Sequence, residues 1–116
     1  MSPAEISHWN AELRSHSPVE IVRWAIAKAG GRAIVSTNFR PYEAVVLHLA
    51  THVQPDIPVL WVDHGYNRPA TYRHAEQLRT QLGLNLKPYL PRMTPAHRDA
   101  IHGEIPTTED EAGLKN

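Results

Sequence analysis

No cysteine occurs anywhere in the 116 residues. That removes disulfides, thiolate metal sites, iron–sulfur ligation and a cysteine nucleophile from this chain. Charge of one sign is not in excess either. Lys+Arg and Asp+Glu number 12 each, a formal net charge of zero. Neither a broad nucleic-acid patch nor an electrostatic pull to a membrane surface is expected. No apolar run approaches the ~20 residues that span a bilayer. The opening "MSPAEISHWN" has no basic segment leading into an apolar one, so no secretion signal is read there. The expectation is a soluble, cytoplasmic protein. Repeats, low-complexity tracts and interdomain linkers are also missing, and the length suits one modest domain.

Helix signals are plentiful. "SPAE" (Ser2 to Glu5) and "SPVE" (Ser17 to Glu20) each place a serine cap, a proline at the first helical position and a glutamate that completes a capping box. Val19, Val22 and Ile26 recur at helical spacing, with Trp24 and Ala25 widening the stripe, until Gly30-Gly31 ends the second helix. "RAIVST" reads as a buried strand because it is apolar on both faces. Pro41 restarts a helix through about His52, with Val45, Val46 and Leu49 on one side. "IPVLWVD" (Ile57 to Asp63) is a second strand, and Pro69 opens a helix through Leu82. "NLKPYLP" (Asn85 to Pro91) is a third strand, with Pro88 pointing to an edge or a bulge. Thr94-Pro95 caps a short helix to about His102.

The order ααβαβαβα predicts an α/β fold built on a parallel sheet with helices on both faces. The strands fall near 33–37, 58–63 and 85–89, in spatial order 3-2-1. The chain divides into leading helices (1–30), a βαβαβα core (31–103) and a polar, acidic tail (104–116). In such sheets ligands bind beyond the carboxyl ends of the strands. Two turns sit there, "STNFR" and "DHGYN".

In the first turn, Ser36, Thr37 and Asn38 lie beside the start of the Pro41 helix. Helix N-termini favour anions, so these residues, with charge from Arg40, can bind phosphate or sulfate oxygens. The plain alternative is that Asn38 or Thr37 caps the helix. In the second turn, Asp63 can accept from a ribose hydroxyl or hold the turn. Gly65 can take a positive φ or let a flat ring approach the backbone. His64 lies within the same turn and can touch a ligand. His48 and His52 are four apart on one helix, a metal-capable spacing. His74, His97 and His102 belong to other elements, so no third ligand is evident and no metal is expected. Trp9, Trp24 and Trp61 read as core or interface residues.

Together these segments resemble the phosphoadenylyl-sulfate reductase family, with the adenylyl-sulfate reductases as close kin. "IVSTNFRPYEAVVLHL" is similar to that family's modified pyrophosphate-binding loop, S-[ST]-S-F-G followed by "AVxLHL". "QPDIPVLWVDHGYNRPATYRHAEQL" resembles its "PDIPVxxxDTGYxxxETYxxxxxL" segment, and "LGLNLKPYLPRMTPA" the strand and loop after it. The resemblance covers about Gly31 to Ala100. It implies an adenine-nucleotide α-hydrolase-like, Rossmann-like fold. It also implies reduction of PAPS or APS to sulfite in sulfate assimilation, with thioredoxin or glutaredoxin as electron donor. Ser36, Thr37, Asn38 and Phe39 then belong to the nucleotide's anion loop, and Asp63, Gly65 and Tyr66 to the adenosine-side turn.

The departures are specific. Arg40 and Pro41 stand where the family has glycine, which makes the loop stiffer and more basic. His64 replaces a threonine. The family's C-terminal E-C-G-L-H motif, whose cysteine attacks the sulfur, has no counterpart here. The expectation is therefore the nucleotide-binding N-terminal portion of such an enzyme, inactive alone and with no cofactor of its own. Two other readings stay open. One is a non-catalytic nucleotide-binding paralogue or interaction module. The other is an ATP pyrophosphatase-type adenylyl transferase, disfavoured because "STNFRP" departs from S-G-G-x-D-S. An unpaired edge on the first strand leaves homodimerisation open.

Overall fold

The computed structural model describes residues 1–105. Most of the expected tail, from Pro106 onward, lies outside the described residues. The helices are α1 (Pro3–Leu13), α2 (Pro18–Ala29), α3 (Ala44–Val53), α4 (Pro69–Leu82) and α5 (Pro95–His102). The strands are β1 (Val35–Ser36), β2 (Pro58–Val62) and β3 (Asn85–Tyr89). Short 3-10 turns at Gly30–Arg32 and Pro41–Glu43 precede β1 and α3.

Local chemistry accounts for the helix starts. Ser2 Oγ accepts from the Glu5 N–H at 3.2 Å, Ser17 Oγ from the Glu20 N–H at 3.3 Å and Thr94 Oγ1 from the His97 N–H at 3.1 Å. Each serves an amide that the helix leaves without a partner. Proline follows every one of these caps. α1 and α2 meet through Trp9 and Trp24, edge to face at 5.5 Å, with Lys28 Nζ 4.4 Å from the Trp9 ring centroid. A cation over an indole face is favourable, and these contacts join α1 to α2, which in turn packs on α3.

The three strands are parallel, in order β1-β2-β3. That is the expected order, read from the other end. Val35 faces Val59, and Leu60 faces Lys87. Pro88 falls on an edge strand, where a missing N–H is tolerated. β1 is shorter than expected. Ala33 and Ile34 emerge from the 3-10 turn unpaired, and Ile34 is 59% exposed. Pairing continues one step past the strand, where the Thr37 N–H donates to the Leu60 carbonyl at 3.0 Å.

The helices that follow β1 and β2 share one face of the sheet. Two right-handed crossovers stepping the same way across a sheet place both helices on one face. Val59 and Trp61 of β2 accordingly pack with Leu47 of α3 and with Ala75 and Leu78 of α4. The alternate residues Pro58, Leu60 and Val62 point the other way. Together with Ile34, Lys87 and Tyr89 they line an open groove of about 560 Å³. On α3, Val45 and Val46 are exposed, whereas Leu47, Ala50 and Thr51 are buried. Six apolar residues among the seven from Ala44 to Ala50 leave the helix phase ambiguous in sequence.

Candidate functional site

A cavity of about 420 Å³ opens between the two turns, beyond the carboxyl ends of β1 and β2. Asn38, Arg40, Trp61, His64, Asn67 and Thr71 are among its lining residues. A smaller one of about 100 Å³ shares Asn38 and Val62 with it and adds Ser36, Thr37 and Glu43. The position is the one that parallel-sheet topology assigns to ligands.

Tertiary contacts anchor the first turn while the side chains of Ser36, Asn38 and Arg40 stay outside. Thr37 is buried, and its Oγ1 accepts from the Phe39 N–H at 2.9 Å. Phe39 is 2% exposed and stands edge to face on Trp61 at 4.9 Å. Its φ is +56°, an uncommon conformation for a bulky residue. The Trp61 contact and full burial hold it there. The chain consequently turns sharply, and Ser36, Asn38 and Arg40 on either side are exposed. Arg40 Nη1 donates to the Tyr42 hydroxyl at 3.0 Å. That bond raises the guanidinium pKa above its ordinary value, so Arg40 is a fixed positive charge. The N-cap falls on Arg40, with no side-chain cap bond from that residue. Glu43 supplies the bonds instead, accepting from the Asn38 and Arg40 N–H groups at 3.3 and 3.1 Å. In place of capping by Asn38 or Thr37, the bonds come from Glu43 at the end of the 3-10 turn.

The second turn is wound around Asp63. This carboxylate is 6% exposed, and its Oδ1 accepts from the Gly65 N–H at 2.8 Å, Asn67 Nδ2 at 3.0 Å and the Tyr72 hydroxyl at 2.9 Å. Its own N–H donates to the Tyr89 carbonyl at 2.9 Å. Of the two roles open for Asp63, holding the turn is the one these bonds perform. Burial, and then the bond to Asp63, push the Tyr72 phenol above its ordinary pKa.

Gly65 has φ +87°, and a Cβ there would sit 2.7 Å from Pro95 Cγ. The glycine therefore lets the turn pack on α5. Tyr66 follows it away from the cavity: its hydroxyl donates to Asp99 Oδ1 at 2.7 Å, with the Pro95 carbonyl 3.2 Å away. His64 stays at the cavity. Its Nδ1 accepts from the Tyr66 N–H at 2.9 Å, which leaves the proton of the neutral ring on Nε2.

Asn67 and Thr71 also line the cavity, and sequence reasoning did not single them out. Thr71 lies in the first turn of α4, so a polar residue two positions after the helix-opening Pro69 was the available signal. His48 and His52 stack at 6.5 Å. No group of three potential metal ligands occurs among the described residues.

A family model described as the phosphoadenosine phosphosulfate reductase domain matches residues 32–110. The chain belongs to this family. Among PAPS reductases, that of a Synechococcus strain is 45% identical over 96 residues, covering 83% of this chain and 41% of the relative. That of Alkalilimnicola ehrlichii is 40% identical over 105 residues, covering 90% of this chain and 43% of the relative. The chain thus spans less than half the length of these PAPS reductase relatives. The crystal structure of a PAPS reductase from Candida auris, a phosphate complex, superposes with a TM-score of 0.80 at 21% identity. It covers 99% of this chain and 55% of that one. At that identity the likeness bears on the fold, which matches that PAPS reductase over the part the chain covers.

Proposed function

We propose that the chain is the nucleotide-binding part of a phosphoadenylyl-sulfate reductase and that its cleft takes an adenylyl sulfate, PAPS or APS. The observation that carries this is the cleft itself, placed beyond β1 and β2 with Arg40 at its mouth in a chain of this family. Ser36, Thr37, Asn38 and Arg40 face the anionic end. Phe39 acts from beneath by fixing the turn. His64 and Asn67 face the adenosine side, and Asp63, Gly65 and Tyr66 shape that side without presenting their own polar atoms. Support comes from the relatives' names and from the phosphate in the Candida auris complex.

Reduction to sulfite needs a nucleophile that attacks sulfur and can then be released by thioredoxin or glutaredoxin. A thiolate does this, and the chain has no cysteine. Turnover by this chain alone is therefore not expected. Homodimerisation through β1 and a cytoplasmic location belong to the same proposal.

Titration calorimetry with adenosine 3′,5′-bisphosphate tests the binding. Weak affinity is expected, since an open cleft desolvates little of the ligand. Arg40→Ala should weaken it about tenfold, because charge-assisted bonds to an anion are the stronger kind. No binding at millimolar ligand would sink the proposal.

A further inference from the structure

Four consecutive backbone N–H groups, Thr37 to Arg40, form the first turn, and each has an internal partner. The Thr37 N–H donates to the Leu60 carbonyl, and the Phe39 N–H to Thr37 Oγ1. The remaining two go to one side chain. Glu43 Oε1 accepts from the Asn38 N–H at 3.3 Å, and Oε2 from the Arg40 N–H at 3.1 Å. One carboxylate therefore spans two amides, an oxygen to each. Two oxygens of a phosphate or sulfate meet such a donor pair in the same way. Glu43 also lines the smaller cavity beside Ser36, Thr37 and Asn38. Its bonds are long for charge-assisted ones, which run at about 2.7–2.9 Å. They are therefore weaker than a tightly seated carboxylate would make.

We infer that Glu43 is the resident counter-anion of this loop, holding the Asn38 and Arg40 amides until an oxyanion ligand displaces it. The inference rests on the reading that the cleft binds an adenylyl sulfate. A carboxylate and a phosphoryl or sulfuryl group repel each other, and both cannot keep the same two donors. Binding therefore requires the Glu43 side chain to swing away. The affinity of the open loop is then reduced by the fraction of molecules in which Glu43 has left. Glu43 is in this sense a positioning residue that sets affinity.

Backbone amide resonances of the ¹⁵N-labelled full chain give the first test, during titration with adenosine 3′,5′-bisphosphate and separately with inorganic sulfate. The Asn38 and Arg40 signals should move together, and the Thr37 signal, held by Leu60, should stay. Calorimetry on Glu43→Ala and Glu43→Gln gives the second. Glu43→Ala should bind the nucleotide about tenfold more tightly, because the competing closed state is gone. Glu43→Gln keeps an acceptor without the charge and should fall between. Formate should raise the melting temperature of Glu43→Ala and compete with sulfate for it.

If the wild type binds nucleotide while the two amides stay still, or if both variants bind it no more tightly, Glu43 is a helix cap alone and the inference is overturned. If wild type and variants all fail to bind, the cleft reading itself falls and takes this one with it. Should Glu43→Ala not fold, Glu43→Gln and the wild-type amide shifts decide.

Discussion

The two turns at the sheet's carboxyl edge look alike in sequence: each is a short polar stretch between an apolar strand and a proline-led helix. Their organisation is opposite. In the second, the acidic residue turns inward, and Asp63 ties Gly65, Asn67 and Tyr72 to one oxygen. In the first, the aromatic residue turns inward, and Phe39 is buried on Trp61 while Ser36, Asn38 and Arg40 stay outside. The acid that serves the first turn, Glu43, comes from the 3-10 turn that leads into α3. The second turn spends its carboxylate on holding itself together, whereas the first, anchored by an apolar side chain, leaves the Ser36, Asn38 and Arg40 side chains exposed.

Mutations can break this contrast. Asp63→Ala should be the most damaging, costing about 2–4 kcal/mol of stability, since three donors lose a buried acceptor at once. Chemical denaturation measures it, and a cost under about 1 kcal/mol would mean that water replaces the carboxylate freely. Gly65→Ala comes next, at about 1–3 kcal/mol, from a positive φ and a Cβ driven into Pro95. Arg40→Ala is the counterpart in the first turn: its effect should appear in ligand affinity, and its melting temperature should match the wild type, as exposed charges add little to folding.

The smallest effect concerns pH. The folded-state pKa of Tyr72 is raised, so the stability it contributes is complete below the phenol's ordinary pKa of about 10. That contribution fades as pH climbs through the folded value. Tyr72→Phe should remove this part of the alkaline loss in melts recorded at increasing pH. An unchanged alkaline profile would separate Tyr72 from the Asp63 network.

Much of the fold was legible because its signals are local. Ser-Pro-x-Glu fixed the starts of α1 and α2, Pro69 marked the start of α4, and the apolar runs marked the strands. One-sided cover was not legible, because "PVLWV" is apolar on both faces whether or not anything lies against the second. At the site, sequence located both turns but left the role of Asp63 open. Tyr72, its partner, sits nine residues away, and only the fold of α4 against β2 brings the two together. Glu43 escaped notice because the residue three before it is Arg40, not the serine or threonine that marks a capping box.

The uncovered face of the sheet has a thermodynamic signature. Heat-capacity change and denaturant sensitivity on unfolding both scale with the surface newly exposed to water. Ile34, Val62 and Tyr89 are already about 60% solvated in the folded state, so unfolding exposes little more of them. The heat-capacity increment should therefore fall below the ~12–15 cal/mol/K per residue usual for globular domains. With a smaller increment, the stability curve of this chain is flatter, varying less between cold and warm than that of a sheet covered on both sides.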